Sequence, residues 1–141
     1  MISLKLTLTA EYALRAMSYL ALQPKGERVS VDILSKGTQV PTSYLSKVMR
    51  QLVNSKLVSA IKGHGGGFCL AHEPRVITYR KILQAVGYEN PKATCVFGWG
   101  KCQDSKPCPM HESWKNLNHL FGKWCEDTSL ETIIRNRRFI K

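Results

Sequence analysis

The chain has 141 residues, of which 43% are hydrophobic, and a formal net charge of +11. That length fits one domain, or one domain with an appendage, and the apolar fraction supports a packed core. No apolar run approaches the roughly 18 residues of a membrane helix, and the start Met1–Thr9 lacks the parts of a signal peptide, so a cytoplasmic protein with no membrane partner is expected.

Charge is unevenly spread. Residues 1–88 carry twelve Lys and Arg against four Asp and Glu, and residues 89–141 carry nine against six. A basic N-terminal part is the electrostatic footprint of a nucleic-acid binder. Many soluble proteins share it, so the motifs have to locate it.

Thr7 or Thr9 caps a first helix that runs to about Gln23 and stops at Pro24-Lys25-Gly26. Tyr12, Ala13, Ala16, Met17, Leu20 and Ala21 recur at helical spacing. Glu11 lies in the first turn, where a negative charge suits the helix dipole. Val29 reads as a short strand residue. Ser30 caps a second helix with Ile33 and Leu34 inside, and Gly37–Pro41 forms a turn. Thr42 then caps a third helix to about Asn54, with Leu45, Val48, Met49 and Leu52 as its apolar stripe. Ser43, Tyr44, Ser46, Lys47 and Arg50 point elsewhere. Two helices around a tight turn, the second with a polar and basic outer face, have the layout of a helix-turn-helix. An ordinary helical hairpin with a solvated face has the same pattern.

The next stretch distinguishes them. Leu57–Ile61 and Phe68–Ala71 read as two strands around Lys62-Gly63-His64-Gly65-Gly66-Gly67. A hairpin directly after a recognition helix is a wing. Its glycines allow close approach to a phosphate backbone, with Lys62 and His64 as donors and Gly65 and Gly66 at the tip. A glycine loop can also cradle a nucleotide, but this run leads into a strand and opens no helix. Cys69 inside the hairpin reads as a packed thiol. Pro74 ends the wing, and Thr78 caps a fourth helix carrying Ile82, Leu83 and Val86, with Gly87 as its stop.

From Cys95 to Trp114 the chain places Cys95, Cys102 and Cys108 within fourteen residues, with His111 three positions further on. Gly98, Gly100 and Pro107 break regular structure, which predicts a loop. Grouped thiolates bind zinc or iron–sulfur clusters. The alternative, structural or disulfide cysteines, belongs to short secreted chains. His111 lies about one helical turn past Cys108 and is the near candidate for a fourth ligand. From about Pro109 to Asp127 one long helix follows, with Trp114, Leu117, Phe121 and Trp124 at 3-4-3 spacing and Leu120 beside them. Its own core could take up this seam, but a two-fold copy of the helix accounts for it better. Cys125 reads as structural. Ser129 caps a closing helix with Leu130, Ile133 and Ile134, before a basic, frayed tail Arg135–Lys141.

Together, several of these pieces resemble the Rrf-type family of bacterial winged-helix regulators (IscR-, NsrR- and RsrR-like proteins). They are Thr9–Met17, Pro41–Leu45, Leu57-Val58, Lys62–Phe68, Ile77–Leu83, the Cys95/Cys102/Cys108/His111/Trp114 set and Ser129–Ile134. The similarity spans nearly the whole chain. It implies a homodimer in which the long helix crosses its mate and packs on the partner's first helix. It also implies that Cys95, Cys102 and Cys108 hold a [2Fe–2S] or [4Fe–4S] cluster that tunes DNA binding. NsrR-like and RsrR-like members place an Asp or Glu at the position of Glu11 that reaches the other subunit's cluster, so Glu11 is the far candidate for the fourth ligand. Two departures matter. The first cysteine gap is six residues where familiar members have five, and Ser46 and Lys47 replace an acid–amide pair of IscR-like members.

The sequence therefore predicts a mainly α fold with a small β wing, organised as a winged helix-turn-helix domain (1–88), a cysteine-rich loop (89–110) and a dimerisation helix with a short closing helix (109–141). The expected function is a transcriptional regulator whose operator affinity follows an iron–sulfur cluster. It has no small-molecule substrate and no catalytic machinery, since His64, His72, His111 and His119 lack an evident nucleophile partner. The alternatives are a regulator with a structural zinc held by three thiolates and His111, and an iron–sulfur electron carrier, against which the wing and basic face argue.

Overall fold

The computed structural model describes residues 6–88 and 94–139. Three sequence expectations fall partly outside them: the N-terminal leader reading at residues 1–5, the opening of the cysteine-rich segment at 89–93, and the last two residues of the tail.

The fold is organised around α1 (Leu8–Ala21), which packs on α2 (Val31–Thr38), α3 (Thr42–Asn54), α4 (Tyr79–Ala85) and α6 (Leu130–Arg135). Its buried face is mostly alanine: Ala10, Ala13, Ala16 and Ala21 beside Met17 and Leu20. Short side chains let several helices approach one axis closely. Burying a larger side chain such as Met17 adds about 1.5–3 kcal/mol. Thr7 is the cap of α1, accepting from the Ala10 N–H at 3.2 Å.

Ser30 caps α2 as expected, but two details of the turn differ. Gly37 is the penultimate residue of α2 and not a turn residue, and it is glycine for space: a Cβ there would lie 2.1 Å from the Tyr19 ring. The helix stops instead at Gln39, which takes a left-handed φ of 58°. Thr42 does not cap α3. Pro41 stands at the cap with no side-chain bond, and the Thr42 hydroxyl donates to Ser35 Oγ at 3.4 Å. Ile33, expected inside, is 54% exposed. It lies on the outer side of α2, whose inner positions belong to Leu34 and Thr38.

Strands β1 (Val58–Ile61) and β2 (Gly67–Leu70) pair antiparallel, Val58 opposite Leu70 and Ile61 opposite Gly67. Val29 adds a second short pairing, exchanging backbone hydrogen bonds with Phe68 at 2.9 and 2.8 Å. After a single 3-10 turn at Pro74–Val76, Thr78 caps α4 and Gly87 ends it with a φ of 74°.

Helix α5 (His111–Asp127) lies against α4, where Arg80 pairs with Glu126. The chain then returns to the core. Tyr79 N–H donates to Thr128 O at 2.9 Å and Leu130 N–H to Ile77 O at 3.0 Å, and the Leu130 side chain is fully buried among the helices of the first 88 residues. Beyond α6, the tail forms a further 3-10 turn at Arg137–Phe139 where fraying was expected. The whole is a mainly helical winged helix-turn-helix with a two-stranded wing. No described helix is long and apolar enough to cross a membrane.

Candidate nucleic-acid interface and cysteine site

Helix α3 buries Leu45, Val48, Met49 and Leu52 and leaves Ser43, Tyr44, Ser46, Lys47 and Arg50 exposed. The buried stripe fixes the helix's rotation, so these polar residues form one outward face. Tyr44 is not wholly free: its ring meets that of Tyr12 on α1 in a T-shaped contact at 5.3 Å. Arg15 also meets Tyr12, placing its guanidinium over the ring 5.6 Å from its centre, and donates to Thr38 O at 3.5 Å. The outward face of α3 is thus braced by α1.

The wing tip projects Lys62, Gly63, His64 and Gly65 into solvent, while Gly66 and Gly67 are half-buried. Two glycines are required by space. A Cβ on Gly66 would sit 2.3 Å from Ile61 O, and one on Gly67 would sit 2.6 Å from Val29 O. Arg28, which the sequence reading passed over, donates from one nitrogen to Ser59 O at 3.5 Å and Gly67 O at 3.4 Å, one carbonyl from each strand of the wing. Its place one residue before the predicted strand residue Val29 was the available signal.

The cysteine loop is shaped by its own backbone. Cys95 N–H donates to Gly100 O and Gly98 N–H to Cys95 O, both at 2.8 Å, with Gly98 and Gly100 at left-handed φ values of 74° and 86°. The Trp114 indole donates to Thr94 O at 2.9 Å and ties the loop to the first turns of α5. Phe97 and Trp99 stack on each other at 4.7 Å in the exposed part of the loop.

Among the thiols, Cys95 is buried and Cys102 and Cys108 are half-buried. Backbone N–H groups of Phe97, chiefly, and of Trp99 point at the Cys95 sulfur and hold its pKa below the ordinary thiol value. Burial pushes Cys108 the other way. The Cys108 thiol also faces the Cys95 sulfur as a hydrogen-bond donor, which lowers the Cys95 pKa and raises its own. Cys102 Sγ lies 3.3 Å from His111 Nδ1, and the other ring nitrogen, Nε2, lies 2.8 Å from Asp104 Oδ1. Lys115 Nζ donates to the same oxygen at 2.9 Å, and this bond, with that from His111, lowers the Asp104 pKa. Cys102 also opens on a cleft of about 280 Å³ lined by Lys115, Asn116, Asn118 and His119.

The four predicted local ligands thus assemble as two pairs, Cys95 with Cys108 and Cys102 with His111. Among the described residues no three His, Cys, Asp or Glu side chains converge into a closed metal site. Their chemistry fits a thiolate-bound centre: N–H donors on one sulfur, and a buried imidazole whose second nitrogen meets a carboxylate. Glu11 lies in the first turn of α1, half-buried, and its side chain joins no hydrogen bond or ion pair with a described residue. Asp104 and Lys115 were missed by the sequence reading. Asp104 is two residues past Cys102, and Lys115 is four past His111 on the same helix face.

On α5 the predicted seam divides. Trp114 serves the loop. Phe121 turns inward toward Tyr88 and the small cluster of Ala10, Leu83 and Cys125. Trp124 makes a T-shaped contact with Tyr79 yet stays 46% exposed, and Leu117 and Leu120 are 44% and 65% exposed. An apolar stripe of Leu117, Leu120 and Trp124 is therefore left on the outside.

The family model described as Rrf2, iron-dependent transcriptional regulator, matches residues 6–136. A protein of Aquifex aeolicus named as an HTH-type transcriptional regulator is 33% identical over 128 residues, covering 89% of this chain and 88% of that protein. The HTH-type transcriptional regulator IscR of Escherichia coli is 28% identical over 137 residues, covering 97% and 84%. Among solved structures, CymR, the global cysteine regulator of B. subtilis, superposes with a TM-score of 0.78 at 23% identity over 92% of this chain and 95% of that one. T. potens IscR superposes at 0.77 with 18% identity over 99% and 93%. At those identities the structural likeness speaks for the fold.

Proposed function

This chain belongs to the Rrf2 family of transcriptional regulators, and from that premise we propose that it binds operator DNA as a homodimer whose affinity is set by an iron–sulfur cluster held by Cys95, Cys102 and Cys108. DNA is read by Ser43, Tyr44, Lys47 and Arg50 on α3. The wing, through Lys62, His64 and the Gly65-Gly66 tip, follows the phosphate backbone. Leu117, Leu120 and Trp124, with Trp114 and Phe121 behind them, form the seam along which two α5 helices pair. A two-fold dimer presents two recognition helices that must fit half-sites about 34 Å apart.

A bound cluster supplies a centre whose charge and ligation answer to oxidation, nitric oxide or iron supply. The chain's own residues connect that centre to DNA. Trp114 and His111 join the cysteine loop to α5, so a change in loop packing moves the dimer helix. Tyr12 on α1 touches Tyr44 on α3, so a shift of α1 moves the recognition face. The carrying observation is that Cys102 and His111 meet at the first turn of α5, the helix proposed to pair the subunits. Two residues are proposed for the fourth ligand. His111 would act from within the subunit, and Glu11 from α1 of the other subunit.

Anaerobic purification with iron, zinc and sulfide analysis tests the reading, alongside operator binding by the loaded and metal-free forms. Brown protein with matched iron and sulfide, and DNA affinity that changes on cluster loss, is the expected result. A colourless protein with one zinc per chain would favour the structural zinc reading, which the Asp104–His111 pairing also suits.

A further inference from the structure

Among its described residues, the cysteine loop contains one carboxylate, which the metal-site reading does not use. Asp104 Oδ1 lies 2.8 Å from His111 Nε2 and 2.9 Å from Lys115 Nζ, while His111 Nδ1 lies 3.3 Å from Cys102 Sγ. The four groups form a line: ammonium, carboxylate, imidazole, thiol. The ring is the buried member, with its side chain 11% exposed against 75% for Asp104 and 52% for Lys115.

An exposed Asp–Lys pair by itself contributes little to stability. What matters here is which atom of a buried ring the carboxylate engages. An ionised carboxylate only accepts hydrogen bonds, so Nε2 carries the proton. A neutral imidazole then has its lone pair on Nδ1, the atom that faces Cys102. A backbone contact anchors the residue itself. His111 opens α5, and its N–H donates to Cys108 O at 3.0 Å. Lys115, one turn along the same face, holds Asp104 against that turn.

We infer that Asp104, backed by Lys115, is a positioning residue that holds His111 by Nε2 so that Nδ1 is presented to the thiol group of Cys95, Cys102 and Cys108. The inference rests on the proposed metal centre and adds the residues that orient its histidine. It holds whether Nδ1 binds the metal or faces a metal-bound Cys102. Carboxylates that take the second nitrogen of a metal-site histidine typically contribute about 10–100-fold to metal affinity.

The test uses the full chain, with cobalt(II) as probe under anaerobic conditions and a competing chelator. Asp104→Ala should weaken cobalt binding by about 10–100-fold, and Asp104→Glu should recover part of the loss. The deciding measurement is the double-mutant cycle. If Asp104 acts through His111, Asp104→Ala should cost nothing further once His111→Ala is in place. Proton NMR of the metal-free chain provides a second readout. A protected ring N–H of His111 should be present in the parent and absent in Asp104→Ala, with the helical circular dichroism unchanged. Equal losses with and without His111, or parental affinity in Asp104→Ala, would overturn the inference. So would a parent chain that takes up no cobalt, which leaves the iron–sulfur reading to its own iron and sulfide analysis. A chain that binds cobalt through this network but never assembles a cluster would sink the iron–sulfur reading alone.

Discussion

The rings of Tyr12 and Tyr44 meet at 83° with their centres 5.3 Å apart. This contact joins the helix that carries Glu11 to the helix proposed to read DNA. An aromatic pair of this geometry contributes about 0.5–1.5 kcal/mol beyond its buried area. Tyr12→Ala should therefore lower stability by about that much or more. It should also weaken operator binding, although Tyr12 is not on the outward face of α3. Thermal unfolding and operator titration of Tyr12→Ala, Tyr44→Ala and the double variant check this. Additive losses in the cycle would mean that the rings do not act as a pair.

The phosphate contacts are tested by salt. Lys47 on α3 and Lys62 at the wing tip are both exposed. Replacing either with Ala should weaken operator binding and reduce the slope of log affinity against log salt by roughly 1. Arg28→Ala should behave differently. It loosens the wing by removing bonds to Ser59 O and Gly67 O, so affinity falls while the slope stays near the parent's. Binding curves at three or more salt concentrations separate the two patterns.

Assembly is tested at Leu120. The sequence spacing placed Phe121 in the seam, but Phe121 packs inward on Tyr88, so a charge there confounds folding with assembly. Leu120 is 65% exposed in the subunit. Leu120→Asp should leave the helical content and unfolding of the subunit intact. It should cost the dimer about 2 kcal/mol or more if the residue is a central anchor. Sedimentation should show a parent dimer and a dissociating variant. A parent that sediments as a monomer at micromolar concentration removes the dimer from the proposal.

Thiol chemistry should sort the cysteines by burial. Cys125 is 4% exposed against Ala10 and Leu83, and burial raises its pKa above the ordinary thiol value. A raised thiol pKa leaves less thiolate at neutral pH, and only the thiolate is the nucleophile. Alkylation of the native metal-free chain at pH 7, followed by mass spectrometry, should therefore label Cys125 last. Its labelling should rise as pH increases or the chain unfolds.

Much of the architecture could be read from the sequence because local signals and burial agree. Thr7, Ser30, Thr78 and Ser129 all cap the helices they precede, and the apolar stripe of α3 leaves the predicted polar face outside. The misses come from tertiary contacts that a local pattern does not carry. Gly37 signals a turn by itself, yet the ring of Tyr19 explains why a helix needs glycine there. Thr42 has the chemistry of a cap, but Pro41 occupies that place. The 3-4-3 seam on α5 was visible, but which members face the subunit's own α4 depends on where α6 docks. The thiols and His111 were legible as a set. Asp104 was not, because one acidic residue in a polar loop has no period or spacing to mark it.

The fourth ligand is the sharpest remaining test of the proposed centre. His111 is beside Cys102 within one subunit and held by Asp104. Glu11 has no side-chain hydrogen bond or ion pair among the described residues and would reach a cluster only across the dimer. The two assignments predict different dependence on assembly. If His111 is the ligand, His111→Ala should shift the spectrum of the reconstituted cluster, and Leu120→Asp should leave it unchanged. If Glu11 is the ligand, Glu11→Ala should shift the spectrum, and Leu120→Asp should produce the same shift because the donor leaves with the partner. A carboxylate that bridges the subunits would couple cluster state to quaternary geometry directly, since losing either would release the other. Anaerobic reconstitution of the three variants, with absorbance and circular dichroism in the cluster bands, distinguishes the cases. An unaltered spectrum in both Glu11→Ala and His111→Ala would remove both residues from the ligand set and leave the fourth position to solvent or an added small molecule.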